Sequence, residues 1–266
     1  VSGARAAAVA LLFVGPIHRL AAQDAEPIQD NSFLIEEAYN QEAGVVQHIS
    51  TFSRADDGGW LYTFTQEWPL GDPRHQLSYT VPLVHGDGSG LGDVFLNYRL
   101  QALGDPQATV AFSPRVSLLL PTGSTRHQRG VGGVGGQFAL PVSLQVSPRL
   151  SIMLNAGTTY VPRAKDAADN HSATLGWNLG GSGIWFFQPN LNLLLEAVWG
   201  SVEEVTGPET TRRHQEAALN PGVRWAFNLS GGLQIVPGAA YSIGIGPSRG
   251  DDALFLYLSF EHPFRH

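Results

Sequence analysis

From about Val45 onward the chain alternates, apolar residue against polar, with a period of two. In one stretch Val94, Leu96, Tyr98 and Leu100 share a phase, and Phe95, Asn97 and Arg99 share the other. Further on, Phe138, Leu140, Val142, Leu144 and Val146 oppose Ala139, Pro141, Ser143 and Gln145. Leu175, Trp177, Leu179 and Trp185 oppose Thr174, Gly176, Asn178, Gly180 and Ser182 in the same way. Successive side chains of a strand point to opposite faces, so this pattern predicts sheet with one apolar and one polar face. Helical spacing fits none of these windows. Twelve such segments can be read, at about 45–53, 60–70, 75–84, 92–103, 108–121, 137–147, 150–162, 172–187, 190–203, 216–228, 232–246 and 252–264. The joints after the even-numbered segments are short and made of turn residues, such as Gly71-Asp72-Pro73-Arg74 and Gln188-Pro189-Asn190. The joints after the odd-numbered segments are longer and polar, most of all Thr122–Gly136, Arg163–His171 and Glu204–Gln215. The expectation is an antiparallel meander with one tight rim and one decorated rim.

A soluble sandwich hides its apolar phase, whereas a membrane barrel turns it outward and keeps a polar lumen. Periodicity alone leaves both open. Segments of ten or more residues suit a tilted membrane crossing better than a soluble strand of about 5–6 residues. The polar phase is rich in Gly, Ser, Asn and Gln, and only 15% of the 266 residues are charged, against about a quarter in a typical soluble domain. Aromatic residues sit near segment ends (Trp60, Trp68, Tyr98, Tyr160, Trp185, Trp199, Phe264), where interfacial girdles belong. The last segment carries Leu254, Leu256, Leu258, Phe260, His262 and Phe264 in one phase, which resembles the signal read by the barrel-assembly machinery of bacterial outer membranes. Unpaired backbone is intolerable in lipid, so the strands must close. The expected fold is all-β: an antiparallel up-and-down transmembrane β-barrel of about twelve strands. With an even strand number both ends of the barrel segment lie in the periplasm, the short turns face it, and the long loops face outward.

Ahead of the barrel, Arg5 and the apolar run Ala6–Gly15 followed by Leu20-Ala21-Ala22-Gln23 read as a cleaved signal peptide over residues 1–23. Residues 24–44 are acidic, with Asp24, Glu26, Asp30, Glu36, Glu37 and Glu42, and read as a periplasmic tail or a short helix capped by Asn31-Ser32. Residues 45–266 form the barrel. The tail is placed to enter the periplasmic mouth and approach Arg99 or Arg224.

Composition narrows the chemistry. The absence of cysteine removes disulfides, cysteine-ligated metals and thiol nucleophiles. A formal charge of −7 with only 16 Lys and Arg argues against nucleic acid as a partner. No cofactor or metal is expected, because His127 and His214 lack ligand spacing and Gly130–Gly136 lacks the Lys-Ser/Thr of a phosphate loop.

Gly90-Leu91-Gly92-Asp93 leading into a strand, and Arg115–Leu120 ending in Pro121-Thr122-Gly123, resemble the outer-membrane family linked to the meta-pathway of phenol degradation. The stretch Phe33–Ser50 is similar to the lead-in of related bacterial proteins described as transporters. The resemblance implies uptake of small, often aromatic or hydrophobic compounds, and it brings no functional residues with it. The residues themselves suggest rim turns: glycines relieve the backbone at a strand entrance, and Asp93 is placed to bond loop N–H groups.

With the apolar phase outward, the lumen receives Glu67, Asp93, Arg99, Arg115, Glu196, Arg224 and Glu261, since Arg or Lys on the lipid face costs about 2–4 kcal/mol near mid-membrane. Two readings stand: an ion-pair network filling a narrow interior, or a charged constriction that selects solutes. The expected function is passive transport of small, hydrophobic or aromatic solutes. The alternative is a sealed barrel with structural or surface-interaction duties. A third reading, an outer-membrane acyl hydrolase built on His171 and Ser172 with Asp166 or Asp169, meets the difficulty that adjacent residues point to opposite faces of a strand. Expected partners are membrane lipid, the solute, the assembly machinery, and lipopolysaccharide phosphates met by Arg126, Arg129, Arg212 and Arg213.

Overall fold

The computed structural model describes residue 28 and residues 30–264, apart from 87, 106 and 107. The expected signal peptide lies outside the described residues. Twelve antiparallel crossings form one closed sheet: β1 (Val45–Ala55), β2 (Trp60–Leu70), β3 (Asp72–Gly86), β4 (Gly88–Leu91 and Val94–Leu100), β5 (Val110–Phe112 and Arg115–Leu120), β6 (Gly135–Ala139 and Val142–Ser147), β7 (Leu150–Lys165), β8 (His171–Gln188), β9 (Leu191–Gly207), β10 (Thr210–Trp225 and Phe227–Asn228), β11 (Gln234–Gly244) and β12 (Ala253–Pro263). The barrel closes where β1 pairs with β12, from Val45 opposite Pro263 to Ala55 opposite Ala253. Each crossing pairs with its sequence neighbours, as an up-and-down meander requires. Closure leaves no edge strand exposed to lipid. The protein is a transmembrane β-barrel.

Side chains alternate as the pattern predicts. On β9, Asn192, Leu194 and Glu196 are buried while Leu193 and Leu195 are exposed. On β12, Phe255, Tyr257 and Ser259 face in, and Leu254, Leu256 and Leu258 face out. The exposed set is the lipid-facing belt, which includes Trp177, Leu179, Trp185, Leu118 and Phe138.

Three features differ from expectation. Glu204–Gln215 is not a loop: β9 and β10 continue as a hairpin until only Pro208 and Glu209 are left between them. Glu203 faces Arg213 and Glu204 faces Arg212 across it, and opposite charges on facing strand positions stabilise the pairing. The strands flanking Arg163–His171 also run on, to Lys165 and from His171, and Asp166 closes the remaining turn by accepting from the N–H groups of Ala168 and Asn170 at 2.9 Å each. The rims do not alternate strictly either. A single residue separates Gly86 from Gly88 on the rim where long loops are expected, and Asp56–Gly59 is a tight turn. That rim, called outer below for the side expected to face away from the periplasm, carries two substantial loops, 121–134 and 245–252.

Of the two expectations for the acidic segment, the tail holds and the helix does not. Residues 30–44 run through the lumen without any helix. The sequence allowed a short helix, but the backbone N–H groups that a helix would use are bonded elsewhere. Those of Phe33, Leu34 and Ile35 go to Glu196, that of Glu36 to Asn155, that of Ala38 to Ser143, and those of Asn40 and Gln41 to Gln101 and Gln76. Every donor satisfied by the wall is one withdrawn from helical pairing. Asn31, the expected cap, accepts instead from the N–H of Glu37 at 2.9 Å. The buried apolar core forms between this segment and the wall, where Ile28, Phe33 and Ile35 pack with Met153, Ile184, Leu194, Val236, Phe255 and Tyr257.

Candidate functional site

The site is the lumen, and its inner half is occupied by the chain's own residues 30–44, with Ile28 packed beside them. Three wall arginines hold that segment. Arg99 on β4 donates from Nε to Asn40 Oδ1 at 2.8 Å, from Nη1 to the carbonyl of Glu37 at 3.1 Å and from Nη2 to the carbonyl of Tyr39 at 2.8 Å. Arg224 on β10 donates from Nη1 to the carbonyls of Asp30 and Asn31 at 3.1 and 2.5 Å. Arg115 on β5 makes a forked pair with Glu36, at 2.9 Å from Nε and 2.5 Å from Nη2. The planar guanidinium suits these sites because it offers five donors in a fixed fork. Two of the three arginines therefore bind backbone carbonyls, and only Arg115 binds an acidic side chain of the segment.

Glu196 on β9, fully buried, provides the complementary grip. Its Oε1 accepts from the N–H groups of Phe33 and Leu34 at 2.8 Å each and of Ile35 at 3.3 Å. Asn220 Nδ2 donates to its other oxygen at 2.6 Å. A carboxylate with this many donors is well compensated for burial. Just below, Phe33 sits in a socket that only glycine permits. A Cβ at Gly222 or at Gly238 would come 2.5 Å from its ring. Phe255 and Tyr257 close the socket with ring centroids 5.5 and 5.3 Å away.

The remaining acids belong to the same packing. Asp30 accepts from Tyr257 Oη at 2.5 Å, from Gln47 at 2.8 Å and from Ser259. Glu67 accepts from Gln76 at 2.6 Å and lies 3.8 Å from Arg99. Glu37 is buried beside this group; desolvation, reinforced by the charge of Asp30, pushes its carboxyl up to about 8. Burial also raises the Asp30 carboxyl.

Of the seven lumen residues proposed from sequence, Arg99, Arg115, Glu196 and Arg224 bond the inner segment directly, and Glu67 and Glu261 face the lumen beside it. Asp93 is elsewhere. It accepts from the N–H groups of Gly123 at 2.9 Å and Val131 at 2.7 Å, tying loop 121–134 to the start of β4. Thr122 adds Oγ1 as an acceptor for the N–H of Val94 at 3.0 Å. The two glycine motifs thus form one latch at the outer rim: a Cβ at Gly130 would run into the Asp93 carboxylate, and one at Gly90 into the Arg129 guanidinium.

Sequence reasoning missed the wall partners that the segment uses most, among them Asn155, Gln76, Gln101 and Ser143. Their signal was weak because amides and hydroxyls in a polar phase look like any lumen lining. The better clue was Gly180, Gly222 and Gly238 standing at inward positions, where wall side chains give way to Ile35 and Phe33.

The outer half of the lumen is lined differently. Thr51 bonds Thr63 at 2.6 Å and Thr65 bonds Thr80 at 2.9 Å, on the wall formed by β1, β2 and β3. Against the opposite wall lies a cavity of about 340 Å³, bordered by Leu34, Ile35, Asn178, Val198, Glu216 and Asp251. His171 and Ser172 do not assemble as a hydrolytic pair. They face Lys165 and Ala164 at successive positions of the β7–β8 ladder, Asp169 is bonded to Lys165 and Asp166 to its own turn. Among the described residues no cluster of three His, Asp or Glu side chains is placed to hold a metal ion.

This architecture defines a class, the twelve-stranded transmembrane barrel with an occupied lumen. The family model described as "Putative MetA-pathway of phenol degradation" matches residues 26–242, and the chain belongs to that family. The match includes the inner segment together with Arg99, Arg115, Glu196 and Arg224, which grip it. Among solved structures, the COG4313 outer membrane channel from Pseudomonas putida F1 is similar over 85% of this chain and 97% of that one, at 13% identity and a TM-score of 0.59. The NanC porin is similar over 83% of this chain and 100% of that one, at 8% identity and a TM-score of 0.53. At these identities the likeness is one of fold. No curated protein matches the sequence.

Proposed function

We propose that the protein is a passive outer-membrane channel for small solutes of low charge, narrowed at its periplasmic half by residues 28–44. The observation that carries this reading is the division of the lumen. Its arginines and the Glu196 carboxylate are engaged by the inner segment, while a cavity of about 340 Å³ remains above that segment, bordered by Leu34, Val198, Asn178 and Ser248 with Glu216 and Asp251 at its side. Arg99, Arg115, Glu196 and Arg224 are then holders of the segment and Asp93 of the rim, and they set the bore indirectly. The family's link to phenol degradation and the printed titles of the similar structures, a channel and a porin, agree with this reading. In this orientation the inner segment enters from the periplasm beside the β1–β12 seam, and loops 121–134 and 245–252 face outward.

Partners follow from the surface. Lipid meets the apolar belt, and β12 offers the assembly machinery an outward row ending in Phe264. Arg213 is paired with Glu203 at 2.9 Å and Arg129 packs on Gly90, which leaves Arg126 and Arg212 as the contacts for lipopolysaccharide phosphates. The sealed barrel is the second reading, favoured by the complete burial of Glu196 and the near-complete burial of Arg224. Proteoliposome swelling distinguishes the two. The channel reading predicts swelling by small neutral solutes at rates that fall with solute size; no swelling by any solute, with the barrel verified as folded, supports the sealed one.

A further inference from the structure

The cavity above the inner segment carries charge of one sign. Glu216 projects from β10 into the lumen and lies across Gly200 of β9, where a Cβ would come 2.8 Å from its Oε1. Asp251, from the loop between β11 and β12, stands at the same cavity. Among the described residues neither carboxylate belongs to an ion pair. Five basic side chains of the wall are engaged elsewhere: Arg99, Arg115 and Arg224 with the inner segment, Lys165 with Asp169, and Arg213 with Glu203. The cavity floor is apolar. Leu34 of the inner segment is 41% exposed although it lies within the lumen, and Ile35 and Val198 adjoin it. An apolar floor facing water, with polar groups converging at one side, is the composition of a small-molecule subsite.

We propose that this cavity is a solute-binding subsite for small amphiphiles whose apolar body rests on Leu34 and Val198 and whose cationic or hydrogen-bond-donating head meets Glu216 and Asp251. Carboxylates of the same size are repelled. Asn178 and Ser248, also at the cavity, supply uncharged hydrogen-bonding partners for a hydroxyl head. Low-dielectric walls concentrate the field of two carboxylates that line one cavity, so charge discrimination here exceeds that of an open surface. This inference rests on the channel reading for its biological use, but the binding itself does not require passage.

The test uses the full chain, folded in detergent, and three probes of one shape: benzylammonium, benzyl alcohol and benzoate. Isothermal titration calorimetry is expected to show benzylammonium binding at least about tenfold more tightly than benzoate, with benzyl alcohol between them. The double variant E216Q/D251N, conservative at solvent-facing positions, should bring the two charged probes within about twofold and leave benzyl alcohol unchanged. L34N should weaken all three probes alike. Equal or tighter binding of benzoate, or an undiminished preference in E216Q/D251N chains with normal heat-modifiable migration, overturns the proposal. Failure of the channel reading looks different: the calorimetric preference persists while none of the probes enters proteoliposomes.

Discussion

Glu196 to alanine is the substitution that probes the inner segment most sharply. The carboxylate holds the N–H groups of Phe33 and Leu34 at 2.8 Å and of Ile35 at 3.3 Å, and it also receives Asn220. A hydrogen bond to a charged group contributes about 1.5–3 kcal/mol net. Counting the two short bonds alone, Glu196→Ala weakens seating of the segment by about 3–6 kcal/mol, which at 1.4 kcal/mol per tenfold raises the unseated population about 10²- to 10⁴-fold. Glu196→Gln keeps an acceptor and loses the charge, so a cost of about 1–2 kcal/mol is expected. The chain has no cysteine, so Ser32→Cys introduces a unique thiol at a fully buried position of the segment. Labelling by a membrane-impermeant maleimide then reports unseating directly, because the rate follows the open population when reclosing is fast. Labelling of E196A/S32C at the same rate as S32C, in barrels of normal heat-modifiable migration, would refute the clamp.

Three further outcomes are expected. Phe33→Ala, which empties the socket formed by Gly222, Gly238, Phe255 and Tyr257, should weaken seating by about 3–5 kcal/mol, and Gly238→Val should do so from the wall side; both are read by the same thiol. Seating should depend on pH through Glu37. Its carboxyl is raised to about 8 when seated and returns to the ordinary carboxylate range when released, so its contribution is complete in acid and is lost as pH rises toward 8. Asp30 acts in the same direction, and a Glu37→Gln chain whose labelling changes as steeply between pH 5 and 8 as that of the parent would contradict this assignment. Asp93→Ala should free loop 121–134 by orphaning the N–H groups of Gly123 and Val131, giving tryptic cleavage at Arg126 or Arg129 with the barrel intact; resistance equal to the parent would count against the latch.

The barrel was legible because its information is local and repeated. Each of the twelve crossings carries its own period-two pattern, and the closing pair β1–β12 follows once lipid forbids an edge. Element ends were less legible. Whether Glu203 to Gly207 and Thr210 to Arg213 form loop or hairpin depends on which charges meet across the strands, and single-strand reading does not see cross-strand partners. The charged residues of the lumen were identified by phase and the tail's approach to Arg99 or Arg224 from its charge, yet the atoms that they bind were not. Arg99 and Arg224 bind mostly backbone carbonyls of a non-repetitive segment, and carbonyls leave no trace in a sequence. The same holds for Glu196 and the three N–H groups it collects. A row of polar and acidic residues ahead of a barrel therefore reads as a tail or a helix, although its conformation is set by acceptors and donors on ten different crossings of wall.

Single-channel recording in planar bilayers, on the full chain and on one lacking residues 28–41, tests the central claim most directly. The account predicts small, uniform, steady openings that become several times larger when the segment is removed. Silence at saturating insertion, or openings whose size is indifferent to the deletion, would contradict it.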